Sequence, residues 1–161
     1  MFNLLRVMSW GWYVAEDLMV ASHPEVLKSQ EYLKVIEEYG SREAKGLAKA
    51  LGISGDGIDS LIRLLQYSHW VVFERCEVEK LTGESCRMRI IDCSAQRAAK
   101  KGGIEYYECA DGTLGCLRGF CGQINQEASV QPVFTPPEVG PKGIPENVSC
   151  EWVISIEGAK S

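Results

Sequence analysis

The sequence has little of several residue types that would point to a function at once. Of its 161 residues only two are histidines, and no two cysteines have the spacing Cys-x-x-Cys, so the strongest zinc-binding signature is absent. Lysine and arginine number 17 against 22 aspartates and glutamates, which leaves a net charge of -5. Because nucleic-acid phosphates need a basic surface, nucleic acid is not an expected partner.

Long apolar runs and nucleotide-binding glycine motifs are also missing. The apolar N-terminal segment, residues 1–22, is interrupted by Arg6, Glu16 and Asp17, and no run reaches the roughly 18 uncharged residues of a membrane-spanning helix. The segment lacks the basic-then-apolar order of a signal peptide. No G-x-S-x-G, phosphate loop or dinucleotide fingerprint occurs. These absences favour a cytoplasmic protein without a membrane segment.

Cysteine, by contrast, is abundant for a cytoplasmic chain of this length. The seven cysteines are Cys76, Cys86, Cys93, Cys109, Cys116, Cys121 and Cys150. An odd number excludes a complete disulfide framework within one chain. In a reducing compartment such thiols are more often buried, catalytic or metal-bound than cross-linked.

The first part of the chain, residues 1–68, has the apolar spacing of helices. Apolar residues recur at helical intervals in "EYLKVIEEYG", and Gly40 is predicted to end that helix. Ser41 then caps a second helix that Gly52 closes, and Asp56 caps a third.

From Trp70 the apolar period changes to two, which is the period of a strand. "WVVFERCEVEK" predicts a first strand with Cys76 and Val78 inward, and the turn "LTGES" returns the chain as a second strand in "CRMRIIDC". A helix after Cys93, a short strand around "IEYYEC", a helix near residues 113–125 and strands in "SVQPVF" and "CEWVISIE" follow.

This order predicts an α+β fold in a single domain, residues 1–161. An N-terminal helical lobe, residues 1–68, packs on a small antiparallel sheet with two or three helices in the lobe formed by residues 69–161. Several large apolar residues near the N-terminus are candidates for the core, for the lining of a ligand cavity or for a homodimer face: Trp10, Trp12, Tyr13, Leu18 and Met19.

Cys93 is the first candidate for chemistry, because it lies where a strand hands over to a helix. A thiol at a helix N-terminus is favoured as thiolate, the nucleophilic and metal-binding form. Arg97 would add to that field, and Gln96 would orient a carbonyl or an amide. A small buried core residue beside a surface arginine remains an equal alternative, since cysteine is among the most buried residue types.

Cys109 and Cys150 are the second candidates, at the end of one predicted strand and the start of another. Together with Cys93 they supply thiolates that suit zinc or an iron–sulfur cluster. Scattered core thiols are the simpler alternative. The two histidines, His23 and His69, are expected to be structural.

Two further segments allow a functional interpretation. In "FTPPEV" two prolines present Glu138 in a loop, where it would serve as a general base or a fourth ligand, or remain an exposed loop carboxylate. The helices before residue 68 and the following hairpin also resemble a winged helix-turn-helix, but the would-be recognition helix carries only Arg63 as a base and contains Asp59.

The C-terminal half resembles a family of bacterial and archaeal proteins called L-2-amino-thiazoline-4-carboxylic acid hydrolase-like. The similarity rests on "DCSAQRAAKKGGIEYYEC", "FCGQI", "TPPE" and "SCEW" and covers about 70 residues in order. It falls on Cys93, Gln96, Cys109, Pro136, Pro137, Cys150 and Trp152. A weaker similarity is to 4-vinyl-reductase-type sensor domains, which have a late cysteine-rich zinc site beside a ligand cavity.

The resulting hypothesis is a cytoplasmic small-molecule-binding protein with a cysteine-centred site, in which the resemblance implies hydrolase-like chemistry and zinc is the candidate cofactor. Cys93 would be the thiolate or a ligand, Gln96 and Arg97 would hold a polar or carboxylate group, and Cys109 and Cys150 would be partner thiols or ligands. The alternatives are a non-enzymatic ligand or metal sensor and a DNA-binding regulator. The hypothesis requires Cys93, Cys109 and Cys150 to meet in space.

Overall fold

A computed structural model describes residue 26 and residues 28–101, 103 and 105–156. The predictions for the N-terminal aromatic and aliphatic residues Trp10, Trp12, Tyr13, Leu18 and Met19, and for His23, lie outside these residues. No helix in the described part of the chain is long and apolar enough to cross a membrane.

The described chain is an α+β fold, as the sequence predicts, with a layer of helices on one face of an antiparallel sheet. In chain order its elements are α1 (Gln30–Leu51), α2 (Ile58–Leu65), α3 (His69–Phe73), β1 (Arg75–Lys80), β2 (Ser85–Ile91), α4 (Ser94–Lys101), α5 (Ala110–Ile124), β3 (Ala128–Phe134) and β4 (Val148–Ile156).

Helix α1 is one continuous helix, so the prediction that Gly40 ends a first helix and Ser41 caps a second is wrong. The side chain of Ser29 accepts a hydrogen bond from the N–H of Tyr32 at 3.1 Å and caps the start, and Gly52 ends the helix with a φ of 64°. Gly40 lies in the middle because α5 packs there, and a Cβ on Gly40 would lie 2.1 Å from the carbonyl oxygen of Cys116.

Helices α1 and α5 touch backbone to backbone. A Cβ on Gly119 would lie 1.8 Å from the carbonyl oxygen of Glu37, whereas a Cβ on Gly115 would lie at an ordinary 3.6 Å from that of Leu33. Glycine at position 119 of α5 therefore permits close packing of the two helices.

The sheet has the strand order β1-β2-β4-β3, and all its neighbouring strands are antiparallel. Cross-strand partners share a face, so the pairs Cys76–Ile90 and Ile90–Cys150 place these three residues in one row on the inner face. The neighbouring row on the same face holds Val78, Met88 and Trp152. This face forms the core with apolar side chains of α2 and α5, among them Leu61, Leu64, Leu117 and Phe120.

Two local predictions differ from the structure. The predicted strand from Trp70 to Lys80 begins only at Arg75, because residues 69–73 form the short helix α3, in which Trp70 is buried against Phe120. Residues 106–109 are irregular rather than a strand. Their backbone is hydrogen-bonded by a side chain of α4 instead of by a neighbouring strand.

The proline-rich segment, residues 135–147, lies beside one end of the sheet and forms a second small apolar group. In that group Ile144 packs against Ile91, Phe134 and Val148. A β-bulge between Ile90 and Ile91 disturbs the register at the same end. At this irregular end of the sheet β2 ends and the chain continues into α4.

Candidate functional site

The irregular end of the sheet brings four cysteines of four separate segments together. Cys76 of β1 and Cys150 of β4 flank Ile90 on the inner face. Cys93 follows β2, and Cys109 lies just before α5. We call these four residues the thiol cluster. All seven cysteines of the chain are free thiols.

Cys93 directly precedes α4, and hydrogen bonds of its backbone N–H and carbonyl hold it in place. Its N–H donates to the Ser149 hydroxyl at 3.0 Å, beside Cys150, and its carbonyl accepts from the N–H of Arg97 at 3.1 Å. Asp92 just before it has a φ of 54°, a conformation that aspartate tolerates better than most residues. The predicted position of Cys93 at a helix N-terminus is confirmed.

Gln96, one turn further along α4, links the helix to the segment that carries Cys109. Its amide nitrogen donates to the carbonyl of Tyr107 at 2.8 Å, and its amide oxygen accepts from the N–H of Tyr107 at 3.0 Å. The same nitrogen lies 3.7 Å from the sulfur of Cys109. Gln96 is buried, so this pairing satisfies its polar atoms. It holds Cys109 against α4.

The cluster is electrostatically connected, and its thiols are protonated at neutral pH. Burial raises the pKa of Cys76 and of Cys150 to about 12, and the charge that neighbouring cysteines would carry as thiolates raises both further. Burial also raises the pKa of Cys109, against a hydrogen bond from Gln96 that lowers it. The thiols influence one another because they lie close together in a poorly solvated place.

The pKa of Cys93 is raised as well, despite its place at a helix start. Burial raises the pKa of Cys93 to about 11, although the backbone N–H groups of Gln96 and Ala95 donate to its sulfur and lower the value. The carboxylate of Glu74 raises the pKa again. The expected stabilisation by the helix end is therefore present but outweighed.

Two of the predicted site residues have other contacts. Arg97 is exposed and forms an ion pair with the carboxylate of Asp92 at 2.8 Å, and it also bonds to the Asp92 carbonyl. Glu138 is exposed in a turn, where its N–H donates to the carbonyl of Thr135 at 2.8 Å. Neither contact joins these residues to the thiol cluster, so their predicted chemical roles stay predictions.

The cluster has the donor atoms of a zinc site but not its arrangement. Thiolates are preferred zinc ligands. Within the described residues, however, no three or more histidine, cysteine, aspartate or glutamate side chains are placed to hold one metal ion. We therefore derive no step that depends on zinc, and the zinc prediction stays a prediction.

Three cysteines and a surface groove do not belong to the thiol cluster. Cys86, Cys116 and Cys121 are buried in the core, at 0%, 4% and 0% exposure. An open polar groove of about 590 Å³ runs between α1 and α5 and holds none of the predicted site residues. The hairpin β1–β2 is not a free wing of a winged helix, because β2 pairs with β4 along its length.

The sequence interpretation missed two members of the site. Cys76 was placed on the inner face of its strand, and the register of the hairpin would have set it opposite Ile90, three residues before Cys93. Glu74 falls on the same face in the period-two pattern as Cys76, and a carboxylate in an apolar row is a signal. It accepts from the N–H of Ser94 at 2.8 Å.

The fold and site define an α+β domain with a thiol cluster at the irregular end of its sheet. A family model described as "Family of unknown function (DUF6125)" matches residues 30–156. The chain belongs to this family. No curated protein matches it, and the two similarities drawn from the sequence are not among these findings.

A likeness in fold extends over nearly the whole chain. The crystal structure of a trafficking protein particle complex subunit 3 from Naegleria fowleri, a protein covalently bound to palmitic acid in that structure, superposes on this chain with a TM-score of 0.53. The two sequences are 12% identical. The match covers 98% of this chain and 96% of that one. At so low an identity it shows a shared fold alone.

Proposed function

We propose that this protein is a non-catalytic binding module that holds a small molecule at the thiol cluster, with Cys93 as the group that reacts with it. The observation that carries the proposal is the convergence of Cys76, Cys93, Cys109 and Cys150 at one end of the sheet. Cys93 has the backbone N–H groups of two residues, Ala95 and Gln96, directed at its sulfur, whereas Cys109 and Cys150 each have one.

Binding is better supported than hydrolysis. A cysteine hydrolase needs a base that takes the thiol proton. Of the chain's two histidines, His69 is hydrogen-bonded to Glu43 at 2.7 Å, away from the cluster, and His23 lies outside the described residues. Gln96 is engaged with the backbone of Tyr107. The described contacts thus give Cys93 donors that hold a captured group, while the neighbouring carboxylate of Glu74 is hydrogen-bonded to the N–H and hydroxyl of Ser94 and not to the thiol.

The proposed ligand is an acyl group. The sulfur of Cys93 attacks the carbonyl of an acyl thioester, the new carbon–sulfur bond replaces the old one, and the proton of Cys93 leaves with the released thiol. Nothing is oxidised or reduced in this exchange. The backbone N–H groups of Ala95 and Gln96, which donate to the Cys93 sulfur, support this proposal because such donors can stabilise the charge that develops on an attacked carbonyl. The covalently bound palmitic acid of the fold relative supports this ligand class.

The test uses octanoyl- and palmitoyl-coenzyme A as acyl donors with the full chain in a metal chelator. We expect a mass increase of one acyl group per chain that maps to Cys93 and is released by hydroxylamine. Cys93→Ser should remove the adduct, and the control Cys116→Ala, a core thiol outside the cluster, should keep it. No adduct, or equal adducts on several cysteines, would contradict the proposal.

Metal analysis of the protein as purified is the second arm of this test. About one zinc per chain, with the cluster thiols protected from labelling until a chelator is added, would support the metal alternative instead. That result would overturn the proposal of a free, reactive Cys93.

A second candidate function, assembly into a homodimer, is favoured by exposed apolar side chains. Val35 is 64% exposed, Tyr67 58% and Val71 37%. The ring centroids of Tyr39 and His69 are 5.5 Å apart, a contact that joins α1, which carries Val35, to α3, which carries Val71. The fold relative is itself named as a subunit of a complex.

Light scattering over a range of concentrations tests this candidate. We expect a dimer that Val35→Lys together with Tyr67→Lys converts to monomer. The control is Val139→Lys, at a site that is 91% exposed in the proline-rich segment. A monomer at all concentrations would exclude the homodimer.

A further inference from the structure

Glu74 is a half-buried carboxylate that occupies the start of α4 from outside the helix. It lies between α3 and β1, and it accepts hydrogen bonds from both the N–H of Ser94, at 2.8 Å, and the Ser94 hydroxyl. The unpaired N–H groups and the dipole at a helix start favour one negative charge there. In this fold Glu74 supplies that charge.

Cys93 shares the same helix end. Its sulfur accepts from the N–H groups of Ala95 and Gln96, one step further into the helix. Two neighbouring groups that both become negative disfavour each other's charged form. Burial raises the pKa of Cys93 most, and the negative charge of Glu74 adds to the bias against a thiolate there.

The charge of Glu74 acts on three thiols of the cluster. It raises the pKa of Cys76, Cys93 and Cys109, in each case by less than burial does. Cys150 responds to burial and to its neighbouring thiols instead. The other charges near Cys93 are those of Arg97 and Asp92, and these two form an exposed ion pair with each other. Glu74 is thus the half-buried charge that faces the site.

We propose that Glu74 is the specificity-determining residue of the Cys93 site: its carboxylate, which Ser94 holds at the start of α4, makes the site accept uncharged electrophiles and reject anionic ones. This inference rests on the proposed function, because it names the ligand class that Cys93 takes. An anionic ligand at the start of α4 would be repelled by this carboxylate, whereas the carbonyl of a neutral acyl chain would not.

The test compares iodoacetamide, which is neutral, with iodoacetate, which is anionic, as reagents for metal-free protein. Alkylation rates are followed at each cysteine by peptide mass spectrometry across a pH series. In Glu74→Gln the amide oxygen still accepts from Ser94 while the charge is gone. We expect Cys93 to react about three- to tenfold faster with iodoacetamide, with its pH profile moved to lower pH.

Iodoacetate should gain more than iodoacetamide in the same variant, by about a further threefold, because the repulsion of the reagent itself is also removed. Cys76 and Cys109 should accelerate less than Cys93. Cys86 and Cys121, buried in the core and without a contribution from Glu74, should stay slow and report that the fold is intact.

Two further variants separate charge from structure. Glu84→Gln removes the same charge from the exposed turn between β1 and β2 and should change nothing at Cys93. Ser94→Ala breaks the hydroxyl contact but leaves the carboxylate, and should keep Cys93 slow with iodoacetate. Unchanged rates at Cys93 in Glu74→Gln, or equal acceleration of all seven thiols, would overturn the inference.

The outcome is independent of the acyl-transfer experiment. An altered reagent preference in Glu74→Gln without any acyl adduct would uphold the role of Glu74 and contradict the proposed function. An acyl adduct on Cys93 with unchanged reagent preference would do the reverse.

Discussion

The buried side chain of Gln96 forms the backbone hydrogen bonds that a neighbouring strand would otherwise form. The segment before α5 has no strand neighbour, and the amide of Gln96 exchanges a donor and an acceptor with the backbone of Tyr107 as a neighbouring strand would. Because an amide side chain matches a peptide group in shape and polarity, the segment that carries Cys109 stays ordered beside α4.

Gln96→Ala is expected to lower the free energy of unfolding by about 1–3 kcal/mol, since it removes both hydrogen bonds between the Gln96 amide and the backbone of Tyr107. Urea unfolding measures this loss. Arg97→Ala, which removes an exposed ion pair on the next residue, is the matched control and should lose much less. Equal losses in the two variants would show that the Gln96 contacts contribute nothing specific.

The residue scale also shows why the site could be predicted only in part. The position of Cys93 between strand and helix follows from the local pattern. The raised pKa of Cys93 does not, because it depends first on burial in the folded chain and further on Glu74, which folds back onto α4 from a segment that the sequence pattern assigned to a strand. A local pattern cannot predict a contact across twenty residues.

At the scale of elements, the contact of α1 with α5 decides the helical layer. Gly40 looks like a helix end in the sequence, since glycine commonly ends helices. A glycine that ends a helix and one that admits another backbone look the same in a single sequence. The structure separates them: Gly52 has a positive φ at the end of α1, and Gly40 faces the carbonyl of Cys116 inside it.

A graded series of alanine substitutions on α5 should report this contact. Gly122→Ala, where a Cβ meets nothing within 4 Å, should be neutral or slightly stabilising, and Gly115→Ala should have a small effect. Gly119→Ala should lower the free energy of unfolding by about 3 kcal/mol or prevent folding, because its Cβ overlaps the carbonyl of Glu37.

Thermal or urea unfolding measures the stabilities of these variants and so gives their order. On α1, Gly46→Ala is the control for Gly40→Ala: the first has open space and should gain about 0.5–1 kcal/mol, and the second should lose stability. Similar stabilities for Gly119→Ala and Gly122→Ala would mean that the helices move apart easily, and would contradict the close crossing.

The whole molecule should lose stability in alkaline solution, because its thiols keep their protons only when folded. Burial raises the pKa of Cys76, Cys86 and Cys150 to about 12, against 9.0 for an ordinary thiol. Below pH 9 both folded and unfolded chains retain these protons. Between about pH 9 and 12 only the unfolded chain releases them, so the free energy of unfolding falls as the pH rises.

The loss is about 0.8 kcal/mol per buried thiol at about pH 9.5. Urea unfolding near neutral pH and at about pH 9.5, with a reductant present, measures it. Cys86→Ala should show a smaller difference between the two conditions by the share of one thiol. A free energy of unfolding that is the same at both pH values would show that the thiols ionise as readily in the folded chain.

The α+β class and most strands could be predicted from the sequence, since the change of apolar period near residue 70 reflects how each element buries one face. The inward positions of Cys76, Val78, Cys150 and Trp152 are confirmed for that reason. The helix α3 could not be predicted, because Trp70 and Val72 fit a strand pattern equally well. Burial of Trp70 against Phe120 of α5 decides in favour of the helix.

The strand order has a consequence for synthesis of the chain. β4 is the last of the four strands to be made, yet it lies between β2 and β3 and pairs with both. While the ribosome is still translating residues 92–147, the hairpin β1–β2 has a free edge and the segment that becomes β3 has no partner. The sheet can close only after residue 156 has left the exit tunnel, so nascent chains must be kept from pairing with one another until then.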